Sequence, residues 1–225
     1  MTKKDVSENH CFYCFDVLEA FLENKPIPKA SFPDDAYPLF ITWHSKFKGH
    51  RELRGCIGNF HPLPLRKGLQ QYALTSALND RRFSPIELTE MPHLDCAVSL
   101  LTDFELAKDY LDWDIGKHGI WIEFSLVDDD DDNNILYGRR RRRSSKTTTT
   151  ATYLPEVIGE QGWTKEEAID SLLRKGGYHR HITEAKRKSI ILTRYQSQKI
   201  TRTYADYRTH CALREGETLT LSSGA

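Results

Sequence analysis

Two glycines set into an otherwise apolar stretch, Leu53-Arg-Gly-Cys-Ile-Gly58, constrain this chain more than any other feature. A glycine inside a strand costs backbone entropy and leaves no side chain to pack, so something must use the space it opens, either a close-packed neighbour or a ligand. Side chains alternate along a strand, which places Arg54, Cys56 and Gly58 on one face and Leu53, Gly55 and Ile57 on the other. Arg54 and Cys56 are then same-face neighbours, and a cation beside a thiol favours the thiolate. Three readings of Cys56 follow: a nucleophile or redox centre, a ligand-lining but unreactive residue, or a structural cysteine in a tightly packed strand. The hexapeptide alone does not choose among them.

The flanking sequence predicts a hairpin. Pro38-Leu-Phe-Ile-Thr-Trp-His44 and the run from Glu52 to Gly58 read as its strands, joined through the basic, Gly49-containing turn 46–50. Upstream, Cys11, Cys14, Phe15, Leu18, Phe21 and Leu22 recur at three- and four-residue steps, an apolar stripe on a helix over residues 9–23 that Pro26 and Pro28 end. His61-Pro-Leu-Pro64 reads as a rigid loop. After it, Leu65, Leu69, Tyr72, Ala73, Ser76 and Ala77 predict a second amphipathic helix, which stops before the exposed loop Asp80-Arg-Arg-Phe-Ser-Pro85.

Further on, Leu94, Cys96, Val98 and Leu100 alternate as a strand, and Ile120, Ile122 and Phe124 begin another that resumes at 149–154. Between them five aspartates (128–132) and five arginines (139–143) surround an Asn133-Asn134 step, a charged excursion with nothing to bury. Thr164 and Glu167 form a capping box for a helix ending at Gly176-Gly177, a strand follows at 189–195, and Tyr204-Ala-Asp-Tyr207 is a short segment before a Ser/Thr/Gly-rich tail. Helices and antiparallel-looking strands intermix without βαβ regularity, so the class is α+β, a mixed, mostly antiparallel sheet flanked by helices.

Charge and cysteine usage narrow the setting. Lys plus Arg equals Asp plus Glu at 32 each, so net charge names no polyanionic partner, and 28% charged with 39% hydrophobic residues is the balance of a folded chain. Met1 to His10 has no apolar h-region, and no run approaches the roughly 18 apolar residues of a membrane span. With five cysteines, an odd and sparse number, the expectation is free thiols in an intracellular protein, cytoplasmic or nuclear, with no membrane association. Cys11-Phe-Tyr-Cys14 has the spacing of half a zinc site, but both sulfurs lie on the apolar stripe and no second such pair exists, so no metal is expected. Gly116-Lys117 lacks the spacing of a phosphate loop, and no cofactor is expected.

Residues 174–202 carry nine bases (Arg174, Lys175, Arg180, Lys186, Arg187, Lys188, Arg194, Lys199 and Arg202) against the single acid Glu184. With Tyr178, His179, His181 and Tyr195 interleaved, this segment is either a nucleic-acid contact or a solvated face that balances the acidic remainder. The arginine run at 139–143, followed by Ser144 and Ser145, reads first as the intramolecular partner of the aspartates and otherwise as an import or kinase-recognition stretch.

The hexapeptide and several further segments resemble eukaryotic members of the AMMECR domain family. Among them are Cys14-Phe-Asp-Val-Leu18, Thr75-Ser-Ala-Leu78, Asp80 with Arg82-Phe83, Val98-Ser-Leu-Leu-Thr102, Tyr110-Leu-Asp-Trp113, Gly116 with His118-Gly119, Ala151-Thr-Tyr-Leu-Pro-Glu-Val157, Asp170-Ser-Leu-Leu-Arg-Lys-Gly-Gly177, Leu192-Thr-Arg-Tyr195 and Tyr204-Ala-Asp-Tyr207. The resemblance implies one domain over residues 9–208 in two lobes with a cleft between them near the hexapeptide, an extension at 1–8, a charged insert at 127–147 in place of a short turn, and a flexible tail at 209–225. It also implies, in prokaryotic relatives, association by gene neighbourhood or fusion with Memo-type and radical-SAM proteins, and a family without an established activity. Asn59 stands where a small hydroxyl residue is commoner.

Two functions are consistent with these residues. In the preferred one the chain binds a ligand or partner through groups lining the hexapeptide region: Gly55, Gly58, Arg82, Phe83, Pro155, Glu156 and Lys175. The alternative is a Cys56-dependent enzyme acting on a nucleotide, nucleic-acid or other anionic substrate, with Arg54 stabilising the thiolate or substrate and Asp80 or His118 carrying the proton.

Overall fold

The computed structural model describes residues 5–47, 49–127 and 148–222. The charged insert read at 127–147 thus lies outside the described residues from Asp128 onward. Among the described residues the sheet has six strands, β1 (Ala36–Phe47), β2 (His50–Pro64), β3 (Leu94–Leu106), β4 (Gly119–Ser125), β5 (Thr148–Tyr153) and β6 (Ile191–Thr203), in the order β2-β1-β3-β6-β4-β5, and the ladders β1/β2, β1/β3, β4/β5 and β4/β6 are antiparallel, as expected for the α+β class. The chain divides into two compact units, Met1–Leu101 with Gln198–Ala225, and Thr102–Ser197.

In the first unit, helix α1 (Glu8–Leu22) turns its stripe inward: Cys11, Cys14, Phe15 and Leu18 are fully buried, while Phe21 falls off the stripe and is 54% exposed. α1 packs with α2 (Leu65–Leu78) on strands β1 (Ala36–Phe47), β2 (His50–Pro64) and the first part of β3 (Leu94–Leu106). Leu39, Ile41 and Trp43 of β1 are buried in that core, and the Trp43 indole donates to the carbonyl of Ala73 at 3.1 Å, which lets the largest core ring carry its one polar group inside.

β2 runs further than the sequence suggests. His61-Pro-Leu-Pro64 is its continuation rather than a loop, with Leu63 and Pro64 paired to Tyr37 and Ala36. β2 is the last strand in the sheet order, and on an edge a proline without an N–H leaves no ladder bond unmade.

The C-terminal segment also differs from its sequence reading. The short segment Tyr204-Ala-Asp-Tyr207 opens a longer helix, α6, over Tyr204–Ser222. Its attachment to α1 joins apolar and polar contacts: the buried Tyr207 ring stacks on Phe15 at 5.2 Å, its hydroxyl proton is shared between Asp16 Oδ1 at 3.0 Å and Glu19 Oε2 at 2.8 Å, and Tyr204 donates to Glu19 Oε1 at 2.9 Å. Tyr204, Tyr207 and Cys211 recur at three- and four-residue steps and pack on the core of the first unit, a stripe too short and too polar at its tips to stand out in the sequence.

The second unit is built on β4 (Gly119–Ser125), β5 (Thr148–Tyr153) and the first part of β6 (Ile191–Thr203). Helices α3 (Pro155–Gln161), α4 (Lys165–Lys175) and α5 (Glu184–Lys188) accompany them. Ile120, Ile122, Phe124 and Leu192 meet Ile169, Leu172 and Leu173 of α4 in its core. The predicted capping box is formed, with the Glu167 N–H donating to Thr164 Oγ1 at 3.2 Å and the Thr164 N–H to Glu167 Oε2 at 2.8 Å. Among the described residues, no helix is long and apolar enough to cross a membrane.

Candidate functional site

The hairpin around Gly49 pairs Phe47 with His50 and runs in step to His44/Leu53, then slips by one residue: Trp43 faces Gly55, and Arg54 has no partner in β1. A residue so bulged is re-aimed, and alternation no longer places it beside Cys56. Arg54 accordingly points at the loop that follows α2. Its Nε and Nη2 donate to Glu90 Oε2 and Oε1 at 2.8 and 2.9 Å, Nη1 to the Ser84 carbonyl at 2.6 Å, and Nη2 to the Pro85 carbonyl at 3.2 Å. The expected Arg54–thiolate contact is therefore absent from its bonds, because the bulge turns the guanidinium into a clamp on the loop.

Another pair from that loop takes up Cys56. The Cys56 N–H donates to Asp80 Oδ2 at 3.0 Å, and Arg82 Nη2 donates to the Cys56 carbonyl at 3.2 Å. Asp80 and Arg82 are joined by two further bonds, Nε to Oδ1 at 2.9 Å and Nη2 to Oδ2 at 2.7 Å. The Arg82 guanidinium, with help from the backbone N–H groups of Cys56 and Arg82, overcomes burial and holds the Asp80 carboxyl well below the usual carboxylate range. A carboxylate so held serves as an anchor between Arg82 and the Cys56 N–H. At the sulfur, the Thr42 hydroxyl donates to Cys56 Sγ at 3.2 Å from the facing position on β1.

The two glycines are used by the protein itself. A Cβ on Gly55 would stand 2.0 Å from the carbonyl oxygen of Ser76, so α2 lies directly on the strand there. A Cβ on Gly58 would meet the Leu39 carbonyl oxygen and the Phe40 ring, both at 2.3 Å. Arg82 remains half exposed, its Cζ 5.4 Å from the centre of the partly exposed Phe83 ring.

His118, Pro155, Glu156 and Lys175 belong to the second unit. His118 is buried, and its Nδ1 accepts the Asp114 N–H at 2.9 Å, so the proton of the neutral ring sits on Nε2. Burial, then Lys117 and Arg194, lower its pKa. Lys175 donates to the Thr152 carbonyl at 2.8 Å and lies 4.5 Å over the Tyr153 ring, and burial lowers its pKa too. Pro155 is the buried first residue of α3, followed by Glu156 in its first turn.

In the basic segment, several cations already have carboxylate partners: Arg187 with Asp170 at 2.7 Å, Lys188 with Glu184 at 3.5 Å, Arg194 with Glu105 and Asp112 at 2.8 Å, and Arg202 with Glu8 at 2.9 Å. Lys186 is buried, donates to the Ser125 carbonyl at 2.5 Å and lies 4.4 Å over the Tyr178 ring. Among the described residues no group of three or more His, Cys, Asp or Glu is arranged to hold a metal ion.

The sequence reading missed Thr42 and Glu90. A hairpin register counted back from Gly49 would have brought Thr42 within one residue of Cys56; Glu90 carries no local signal, because a distant acid finds its base only through the fold.

Comparison with known proteins agrees with this architecture. The chain is 47% identical over 205 residues to an uncharacterized protein of Arabidopsis thaliana, covering 91% of this chain and 88% of that one. It is 38% identical over 211 residues to an uncharacterized protein of Schizosaccharomyces pombe, covering 92% and 96%. The crystal structure of an uncharacterized protein from Pyrococcus horikoshii shares the fold, with a TM-score of 0.63 at 23% identity over 89% of this chain and 94% of that one. The AMMECR1 family model matches residues 11–200, and the chain belongs to that family.

Proposed function

We propose that this chain is a binding protein whose contact surface centres on Cys56, Arg82 and Phe83, and that its partner is another protein. One observation carries the reading: the groups that would assist chemistry at Cys56 are committed to holding its surroundings. Arg54 clamps Glu90, and Asp80 is locked between Arg82 and the Cys56 N–H. What reaches solvent from this rigid frame is an arginine beside an aromatic ring, residue types that dominate binding energy at protein interfaces. The family's association with Memo-type proteins supplies the partner to try first. Calorimetric titration of a Memo-type protein into the full chain should show binding that Phe83→Ala weakens about ten-fold with the thermal melt retained, and that Arg82→Ala weakens at least as much while lowering the melt, because buried Asp80 loses its partner. Absence of binding, or affinity indifferent to both changes, refutes the reading.

A Cys56-dependent enzyme is the second reading, and the Thr42 hydroxyl favours it by placing a donor where negative charge on the sulfur would develop. Site-by-site alkylation of the folded chain separates the two. An enzyme requires Cys56 to label fastest of the five thiols and to slow in Thr42→Val; an inert Cys56 removes nucleophilic chemistry.

A further inference from the structure

β2 ends the sheet, and the outward row of N–H and C=O groups on such a strand can template another; at His61 both are bonded to the Asn59 side chain, the N–H donating to Oδ1 at 2.9 Å and the carbonyl accepting from Nδ2 at 3.1 Å. At Cys56 that row is closed. Its N–H and carbonyl point away from β1 and are taken by Asp80 Oδ2 at 3.0 Å and Arg82 Nη2 at 3.2 Å, an acceptor and a donor standing where a neighbouring strand would put its own C=O and N–H. The two side chains are fixed in that complementary pose by their mutual bonds at 2.9 and 2.7 Å. Arg54 fastens the loop that bears them, through the carbonyls of Ser84 and Pro85 at 2.6 and 3.2 Å and through Glu90. Covering an edge with a loop is one of the usual protections, and here it stands beside two others, since β2 also carries prolines and a bulge.

We propose that the Asp80–Arg82 loop is a guard over this edge, and that the edge, once opened, pairs with β2 of a second copy of the chain. A second copy fits because antiparallel pairing about a two-fold axis is self-complementary: Cys56 offers one donor and one acceptor to the same side, and its equivalent offers the same two in reverse order. Gly58, two residues along and opposite Phe40 in the β1 ladder, shares the parity of Cys56, so its N–H and C=O face the same edge. The inference shares Cys56 and Arg82 with the contact surface proposed above, and Phe83→Ala, which leaves the bonds of Asp80 and Arg82 to Cys56 intact, tests that surface without opening the guard.

The test opens the guard in the full chain. In Asp80→Ala/Arg82→Ala both partners of Cys56 leave together, so no lone buried charge remains. Sedimentation velocity should then show the mass rising toward twice its starting value with concentration, under conditions where the wild-type mass is constant. Adding Cys56→Pro removes the exposed N–H and should restore the monomer. A double variant that melts cooperatively yet sediments as wild type overturns the proposal, as does a dimer indifferent to the proline. If the double variant does not fold, Arg54→Gln, which only unfastens the loop, takes its place with amide exchange as the readout. The Cys56 amide should then exchange at least about ten-fold faster with Ile57 unchanged, and an unaltered Cys56 amide again overturns the guard.

Discussion

Arg54 and Glu90 meet through two parallel hydrogen bonds, Nε to Oε2 at 2.8 Å and Nη2 to Oε1 at 2.9 Å, although 36 residues separate them. The geometry is the bidentate fork that a guanidinium makes and an ammonium cannot. The arginine side chain is only 13% exposed and also serves two backbone carbonyls, whereas Glu90 is 31% exposed. Burial pushes the Glu90 carboxyl up, and the bonds from Arg54 and the Glu87 N–H more than reverse that, leaving it lowered.

Arg54→Ala should therefore cost about 2 kcal/mol, a charge-assisted bond plus two carbonyls left short of donors, discounted for the solvent that reaches Glu90. In a chain of this size that lowers the melting temperature by ~4–8 °C. Arg54→Lys should recover little, because a single point donor cannot span the fork and both carbonyls. A lysine variant as stable as wild type would show that charge alone holds the loop.

How much of this was legible follows from what sets each feature. The α1 stripe, the Thr164 capping box and the hairpin were readable because their causes are local, a three- to four-residue period, two residues three apart and a glycine turn. The face shared by Arg54 and Cys56 was not, because one bulged residue cancels strand parity and nothing in the hexapeptide signals a bulge. α6 escaped because Tyr204 and Tyr207 dock on Asp16 and Glu19, acids nearly two hundred residues away in sequence. The glycines were correctly read as demanding an occupant for their space; only the fold identifies α2 and β1 as the occupants.

Gly55 gives the second prediction. The Ser76 carbonyl oxygen lies 2.0 Å from where a Cβ would be, and a backbone atom in the last turn of α2 cannot swing aside as a side-chain tip can. Gly55→Ala should lose about 3 kcal/mol or more, an overpacking cost at the upper end of its range. Gly159, with nothing within 4 Å of its Cβ position, is the control, and Gly159→Ala should be neutral or slightly stabilising because alanine favours a helix. Equal losses at both sites in chemical denaturation would mean α2 is free to move off β2.

The third prediction concerns pH. His10 is buried against Phe32, with ring centroids 4.7 Å apart, and its Nδ1 accepts the Ser7 N–H at 3.3 Å in the N-cap of α1. Burial lowers its pKa to about 4, and His44 is lowered to about 4 by burial and then by Arg51 and Lys199. Both rings are neutral in the folded chain at a pH where the unfolded chain takes up protons. The stability they contribute is whole above about pH 6.5, declines as pH falls from there, and levels off near the folded value. His10→Gln should flatten its share of that decline, on the order of 2 kcal/mol between pH 7 and pH 4, in urea titrations at stepped pH. An unchanged slope would place the protonation elsewhere.

The last prediction is for the basic segment. A cation contributes to nucleic-acid affinity by exchanging solvent counterions for phosphates, and that release drives the steep salt dependence of binding. Arg187, Lys188, Arg194 and Arg202 are already within 2.7 to 3.5 Å of carboxylates of this chain, so a phosphate would have to displace an attached acid and leave it beside the polyanion. Labelled single-stranded DNA or RNA should therefore bind no more tightly than the roughly 10⁻⁴ M of non-specific association at physiological salt, with a shallow dependence on salt by fluorescence anisotropy. If binding is tight and falls steeply with salt, substituting Asp170 and Glu105 by their amides distinguishes the causes. Affinity that rises when these acids are neutralised means the ion pairs compete with phosphate on this face, and affinity that does not change places the contact on cations outside it.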